Sequence, residues 1–159
     1  MQATRRVYNR LKSLEGLALR RYWDGYAEKF TIGYGHTEHA AKLLEITELE
    51  AEALLIYDVQ KFVNLVNRYR RERSYKLNQN QFDSLVLFTY NTGSIRAGSA
   101  LDKAIRASNW KEAANKMLAY TSAGGVVLPG LVKRRQYEAR LLITPYLDAK
   151  ILLAGALFV

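Results

Sequence analysis

A chain of 159 residues, 49% apolar and 25% charged, is the length of one domain and is not disordered; about 68–70% of its unfolded surface can be buried. It has no cysteine, which excludes a disulfide framework, a thiolate nucleophile and a cysteine metal site. A net charge of +9 favours polyanions such as nucleic acid, an anionic bacterial envelope or lipid headgroups, and equally fits a basic surface kept for solubility.

The opening Met1-Gln2-Ala3-Thr4-Arg5-Arg6 leads into an amphipathic pattern and not an apolar run, so no targeting signal is expected and cytoplasmic synthesis is the default. Thr4 is a candidate N-cap, and Val7, Tyr8, Leu11 and Leu14 form one stripe of a helix over about 5–15. Gly16 ends it. Glu15 then lies on the last turn, at the partially negative end of the helix dipole, where the protonated form that a general acid needs is favoured. Leu17, Leu19 and Tyr22 predict a short strand, Gly25 a turn, and Thr31 to Tyr34 a second strand, with Gly33 and Gly35 allowing a bulge or close approach. This small β-rich region, about 17–45, needs helices to pack on. Glu15, Asp24 and Thr31 stand on separate short elements, where two acids and a hydroxyl can face one another as glycosidic cleavage requires. Other pairs, such as Glu38 with Glu45, have similar spacing, so spacing alone does not choose the site.

Thr47 and Glu50 form a capping box for a helix over about 48–71 with Leu55, Val59, Phe62 and Val66 on its apolar face. At about 36 Å it is long enough to span two lobes. It ends in Arg68, Arg70, Arg71, Arg73 and Lys76, a solvated terminus or a binding patch. Asn78 begins a helix whose Phe82, Leu85, Val86, Leu87, Phe88 and Tyr90 leave almost no polar face, predicting the buried centre of a larger lobe. Asn91-Thr92-Gly93-Ser94 breaks it. Ser99 or a neighbour caps a helix with Leu101, Ala104 and Ile105, and Asn109 with Glu112 opens another through Met117. The segment from Thr121 to Gly130 reads as a loop. Pro129 stands near the entry of a final helix to about Leu142. The uncharged stretch 151–159 is far shorter than the roughly 20 residues of a membrane span and is expected to pack on the larger lobe or to remain an exposed tail.

Glu15-Gly16-Leu17-Ala18-Leu19-Arg20-Arg21-Tyr22-Trp23-Asp24, followed by Thr31-Ile32-Gly33-Tyr34-Gly35-His36-Thr37, resembles the catalytic segment of the phage-type lysozymes, the endolysins of glycoside hydrolase family 24. The likeness continues through Ile46-Thr47, Glu50-Ala51-Glu52-Ala53-Leu54-Leu55 and Asp58, through Leu77-Asn78-Gln79-Asn80-Gln81-Phe82-Asp83-Ser84-Leu85-Val86, through Phe88, Asn91 and Gly93, and through Ala123 to Arg135.

The resemblance implies an α+β, mostly helical, two-lobed lysozyme-like fold: one domain over 1–159, with a small β-rich lobe, a connecting helix, and a larger helical lobe that includes the N-terminal helix. It implies a muramidase cutting the β-1,4 bond between N-acetylmuramic acid and N-acetylglucosamine in bacterial peptidoglycan. Glu15 resembles the general acid, Asp24 the carboxylate that positions water or stabilises the oxocarbenium-like state, and Thr31 the hydroxyl that holds that water. The family is regarded as inverting, which implies a carboxyl separation nearer ~6.5–9.5 Å than ~5–5.5 Å. His36 and Asp58 resemble a structural ion pair; a base or ligand role for His36 is the alternative. Asn91 resembles a sugar contact, with helix capping as the alternative, and Gly124 and Gly125 resemble a cleft wall. Lys133, Arg134 and Arg135 fit a solvated helix face, or groups that orient the acid or meet anionic wall groups. No cofactor or metal is implied, and the expected protein is a monomer with no membrane span and no specific nucleic-acid partner. It would be made in an infected bacterial host and act on the wall after membrane permeabilisation.

Three features depart from the pattern. Gly25-Tyr26-Ala27-Glu28-Lys29-Phe30 is one residue longer than the usual connection, Ala18 replaces a long polar residue, and Glu38 to Glu45 replaces a more Gly- and Pro-rich segment. Two other classes stay open: a wall-binding module of the same fold with impaired hydrolysis, and a basic nucleic-acid-binding helical protein whose affinity would fall steeply with salt.

Overall fold

The computed structural model describes residues 1–25 and 28–146; the stretch 151–159 lies outside the described residues. Among the described residues the elements are α1 (Arg5–Glu15), β1 (Ala18–Asp24), β2 (Lys29–Gly33), α2 (Glu48–Glu72), α3 (Gln79–Thr92), α4 (Ala100–Arg106), α5 (Trp110–Met117), β3 (Ser122–Ala123), β4 (Val126–Val127) and α6 (Pro129–Ile143). The fold is α+β and mostly helical, as expected. The chain forms two compact units, one of Met1–Tyr69 with Val86–Ser94, the other of Arg70–Leu85 with the chain from Ile95.

In the first unit, α1 buries Val7 and Leu11 from its predicted stripe. It ends where Gly16, at φ +70°, returns its N–H to the Lys12 carbonyl at 3.3 Å. Strands β1 and β2 pair antiparallel, with Ala18 opposite Gly33, Tyr22 opposite Thr31, Trp23 opposite Phe30 and Asp24 opposite Lys29. The register breaks between Ala18 and Tyr22 because the backbone there pairs elsewhere. The Ile46 N–H reaches the Leu19 carbonyl at 2.9 Å, and the Arg21 N–H the Leu44 carbonyl at 3.2 Å. Ile32, Ala40, Ile46 and Ala51 form a small core, with Phe30, Tyr34, Leu43 and Leu54 packed on it.

The capping box of α2 forms as predicted: Glu50 Oε2 accepts from the Thr47 N–H at 2.7 Å, and the Glu50 N–H donates to Thr47 Oγ1 at 3.2 Å. The buried face is Ala51, Leu55, Val59, Val63, Val66 and Tyr69. The expected stripe has Phe62 in place of Val63. Both fall about one turn from Val59; Val63 is covered, and Phe62 lies half-buried against the Tyr90 ring at 5.3 Å.

In the second unit, α3 starts with a reciprocal cap. Asn78 Oδ1 accepts from the Gln81 N–H at 2.9 Å, and Gln81 Oε1 from the Asn78 N–H at 2.8 Å. Ser84 Oγ donates to the Glu138 carbonyl of α6 at 2.7 Å. Ser99 caps α4 through the Asp102 N–H, and Asn109 caps α5 through the Glu112 N–H, each at 3.2 Å. Asp102, almost fully covered, accepts from Tyr75 Oη at 2.5 Å, from Arg73 Nη1 at 3.1 Å and from the Gly98 N–H at 2.9 Å. Arg73 therefore serves the interior and not a solvated terminus.

Two expectations change here. The loop before α6 contains a hairpin, β3 paired with β4, whose turn is Gly124-Gly125 at φ +57° and +80°. Two positive φ values are what a tight two-residue hairpin turn needs, and two glycines supply them without strain. Arg134 and Arg135 are not on a solvated face. They are 7% and 0% exposed and flank Glu138, with Arg134 Nε 3.4 Å from Oε1 and Arg135 Nε 3.2 Å from Oε2. Burial of the paired charges lowers the Arg135 pKa, opposed by the Glu138 carboxylate.

Candidate active site

Glu15 closes α1 with its side chain exposed, and its carboxylate lies on the side of Gly35 toward which a side chain would project. A Cβ built on Gly35 would stand 3.6 Å from Glu15 Oε2. Gly35 has φ +86°, in the left-handed region, so glycine meets a backbone need, and a side-chain carbon there would meet the carboxylate at ordinary van der Waals distance. The segment is a tight reversal in which Ile32 and His36 exchange both backbone hydrogen bonds at 2.9 Å.

Asp24 and Thr31 come together through strand register. Residues directly opposite share a face, and so do residues two apart on one strand. Thr31 is opposite Tyr22, and Asp24 is two residues beyond Tyr22, so Asp24 and Thr31 are diagonal neighbours on one face of the hairpin. Thr31 is 4% exposed, and its Oγ1 has no hydrogen-bond partner among the described residues. Across the lengthened connection Asp24 pairs with Lys29, in the same register as Tyr22 with Thr31.

His36 and Asp58 are also brought together, Nδ1 to Oδ2 at 2.8 Å, with the His36 ring edge-on to Tyr57. Lys61 Nζ lies 3.4 Å from Asp58 Oδ1 and 2.5 Å from Glu38 Oε2. Its hydrogen bond to Lys61 holds the Glu38 carboxyl below its ordinary value, and the same bond raises the Lys61 ammonium. Gly35, Thr37, Glu38, Asp58, Lys61, Phe62 and Tyr90 line a cavity of about 240 Å³. Beside it the Tyr90 hydroxyl donates to the Tyr34 carbonyl at 3.4 Å, and Lys12, hydrogen-bonded to Glu52, lies 5.6 Å from the Tyr34 ring centre.

Asn91 is exposed on the last turn of α3. That helix end is closed by its neighbours, the Gly93 N–H on the Thr89 carbonyl at 2.8 Å and Thr92 Oγ1 on the Phe88 carbonyl at 2.9 Å. Gly124 and Gly125 are exposed at the hairpin turn of the second unit; the other candidate residues belong to the first. Tyr90, Lys61 and Lys12 carried no expectation of a role at the site. Their contacts join residues far apart in sequence, and no local signal marked them. Among the described residues no cluster of three His, Asp or Glu side chains could hold a metal ion, and no helix is long and apolar enough to cross a membrane.

The family model described as phage lysozyme matches residues 12–138. The endolysin of Bacillus phage B103 is 41% identical over 141 residues, covering 86% of this chain and 52% of that protein. The chain spans about half the length of the Bacillus phage endolysins it matches. Among solved structures, the muramidase domain of SpmX from Asticaccaulis excentricus has a TM-score of 0.79 at 35% identity, covering 91% of this chain and 99% of that one. The endolysin from Escherichia coli O157:H7 phage FAHEc1 has a TM-score of 0.76 at 35% identity, covering 93% and 98%.

Proposed function

The chain belongs to the phage lysozyme family, and from that premise we propose that it is a muramidase hydrolysing the β-1,4 bond between N-acetylmuramic acid and N-acetylglucosamine in bacterial peptidoglycan. The observation that carries this reading is the Glu15 carboxylate lying beside Gly35, in the same unit as a hairpin face bearing both Asp24 and Thr31. Relatives named endolysin and a neighbour named as a muramidase domain support it.

Glu15 protonates the glycosidic oxygen as the bond to the anomeric carbon breaks. The Asp24 side chain stabilises the oxocarbenium-like state and orients the attacking water. Thr31 helps hold that water: its buried Oγ1 has hydrogen-bonding capacity that no described residue uses. Water attacks from the face opposite the leaving group, and the anomeric centre inverts. Asn91, Gly124 and Gly125 contact the glycan, and the His36 to Asp58 bond ties the turn after β2 to α2. The net charge of +9 draws the protein to anionic wall polymers. The protein acts as a monomer with no specific nucleic-acid partner. It is made in the cytoplasm of the host cell and reaches the wall once the membrane is permeabilised.

The test is release of new reducing ends and loss of turbidity from purified peptidoglycan by the wild-type chain beside Glu15→Gln, which keeps the side chain's shape and cannot donate the proton. Activity in the wild type that falls by at least about 10²-fold in the variant supports the reading. Equal activity removes Glu15 from the mechanism. Wall binding by both without hydrolysis supports the impaired binding module instead.

A further inference from the structure

The seat of the Glu15 carboxylate is a short reversal with two glycines, Gly33 at φ +65° and Gly35 at φ +86°. Glycines give a turn freedom, so what fixes its position must come from outside it. The Ile32 and His36 backbone exchange pins its two ends. Tyr34, between the glycines, is held twice more: its ring lies under the Lys12 ammonium, and its carbonyl accepts from the Tyr90 hydroxyl at 3.4 Å. That carbonyl belongs to the peptide group that carries the Gly35 nitrogen. Tyr90 is in turn held by its ring, packed on Phe62 with centroids 5.3 Å apart and planes at 59°. A chain of contacts therefore runs from α2 through Phe62 and Tyr90 to the Tyr34-Gly35 peptide, beside which Glu15 Oε2 lies.

We propose that the Tyr90 hydroxyl is a positioning group for catalysis, fixing the Tyr34-Gly35 peptide and with it the place from which Glu15 delivers its proton. This rests on the muramidase reading. Proton transfer requires the acid within hydrogen-bond reach of the leaving oxygen, and a misplacement of about 1 Å costs about 10²-fold in rate. Releasing one of several ties moves the seat by less than that, so a loss of about five- to tenfold is expected. The hydroxyl acts through the turn, so its removal lowers the rate of the bound complex and leaves substrate affinity alone.

Tyr90→Phe keeps the ring on Phe62 and removes only the hydroxyl. Rates are measured on soluble, uncross-linked peptidoglycan strands for wild type, Tyr90→Phe, Phe62→Leu, Glu15→Gln and Asn109→Ala; the last weakens the α5 cap. The expected result is a kcat lower by about five- to tenfold in Tyr90→Phe with KM within about twofold. Phe62→Leu should move kcat the same way, and Asn109→Ala should keep its kcat despite a lower unfolding midpoint. Three results would overturn the proposal: an unchanged kcat in Tyr90→Phe, a raised KM with kcat kept, which would put the hydroxyl on the substrate, or an equal loss of kcat in Asn109→Ala. A wild type that matches Glu15→Gln removes the muramidase reading and the proposal together. An active wild type with an inactive Glu15→Gln keeps that reading, so any failure then belongs to Tyr90 alone.

Discussion

The His36 imidazole, 5% exposed, donates or accepts through Nδ1 to Asp58 Oδ2 at 2.8 Å, fastening the reversal after β2 to the middle of α2. Asp58→Ala leaves a nearly covered imidazole nitrogen without its partner. The expected cost is about 2–3 kcal/mol, at the lower edge of the range for broken buried pairs because Asp58 is 14% exposed. Thermal unfolding followed by circular dichroism should show a midpoint lower by roughly 5–10 °C. Lys61→Met removes the partly exposed contacts to Asp58 and Glu38 and the approach to the Tyr57 ring, and its effect should be smaller than that of Asp58→Ala.

Thr31 presents the opposite case, a covered hydroxyl without a hydrogen-bonding partner among the described residues. Thr31→Val replaces that hydroxyl by a methyl group of similar size. A strand position suits valine, and no bond within the described residues is lost, so stability should be unchanged or higher by up to about 1 kcal/mol. Activity should fall by about 10²-fold if the hydroxyl orients the attacking water. A stability gain paired with a rate loss, measured by chemical unfolding and by reducing-end release, separates the two roles.

The Tyr75–Asp102–Arg73 cluster sets limits on stability at both ends of the pH scale. Burial pushes the Asp102 carboxyl up, but bonds from Tyr75, the Gly98 N–H and Arg73, with the Arg73 charge, outweigh burial and hold it below its ordinary value. Its stabilising contribution is present above its unfolded value of about 3.9 and is lost as pH falls through the lower folded one. Burial foremost, with Asp102 beside it, pushes the Tyr75 phenol well up. That contribution is present below its unfolded value of about 10 and is lost as pH rises through the folded one. Tyr75→Phe should destabilise the protein by about 1–2 kcal/mol at pH 7. The gap to wild type should narrow in acid as Asp102 protonates and in alkali as Tyr75 ionises, read from unfolding midpoints at matched pH.

Local chemistry was legible from the residues: Thr47 with Glu50, Ser99, Asn109, Gly16 and Pro129 each act within one turn of their own position, and each marks the boundary expected of it. Long-range packing was not. Nothing near Arg134 and Arg135 in sequence announces that both are covered around Glu138; an i, i+4 charge pattern reads the same on a solvated helix. Phe62 and Val63 stand three and four residues beyond Val59, and helical period alone does not choose which of them is covered. The Gly124-Gly125 turn carried a hairpin signal, but strands of two residues are too short for a hydrophobic period to emerge. At the site, residue spacing could not single out Glu15 and Asp24 from other acids. The family motif nominated them, while the seat on Gly35 and the shared face with Thr31 became visible only through backbone geometry and register.

The first unit is assembled from two pieces of chain, Met1–Tyr69 and Val86–Ser94, with the second piece bringing in Val86, Leu87 and Phe88, all fully covered. A ribosome releases the chain from its N-terminus, so the turn that seats Glu15 is synthesised well before Tyr90, its outside support. The candidate proton donor therefore emerges early, while the seat beneath it gains its full set of ties only after the second half of α3 has left the exit tunnel.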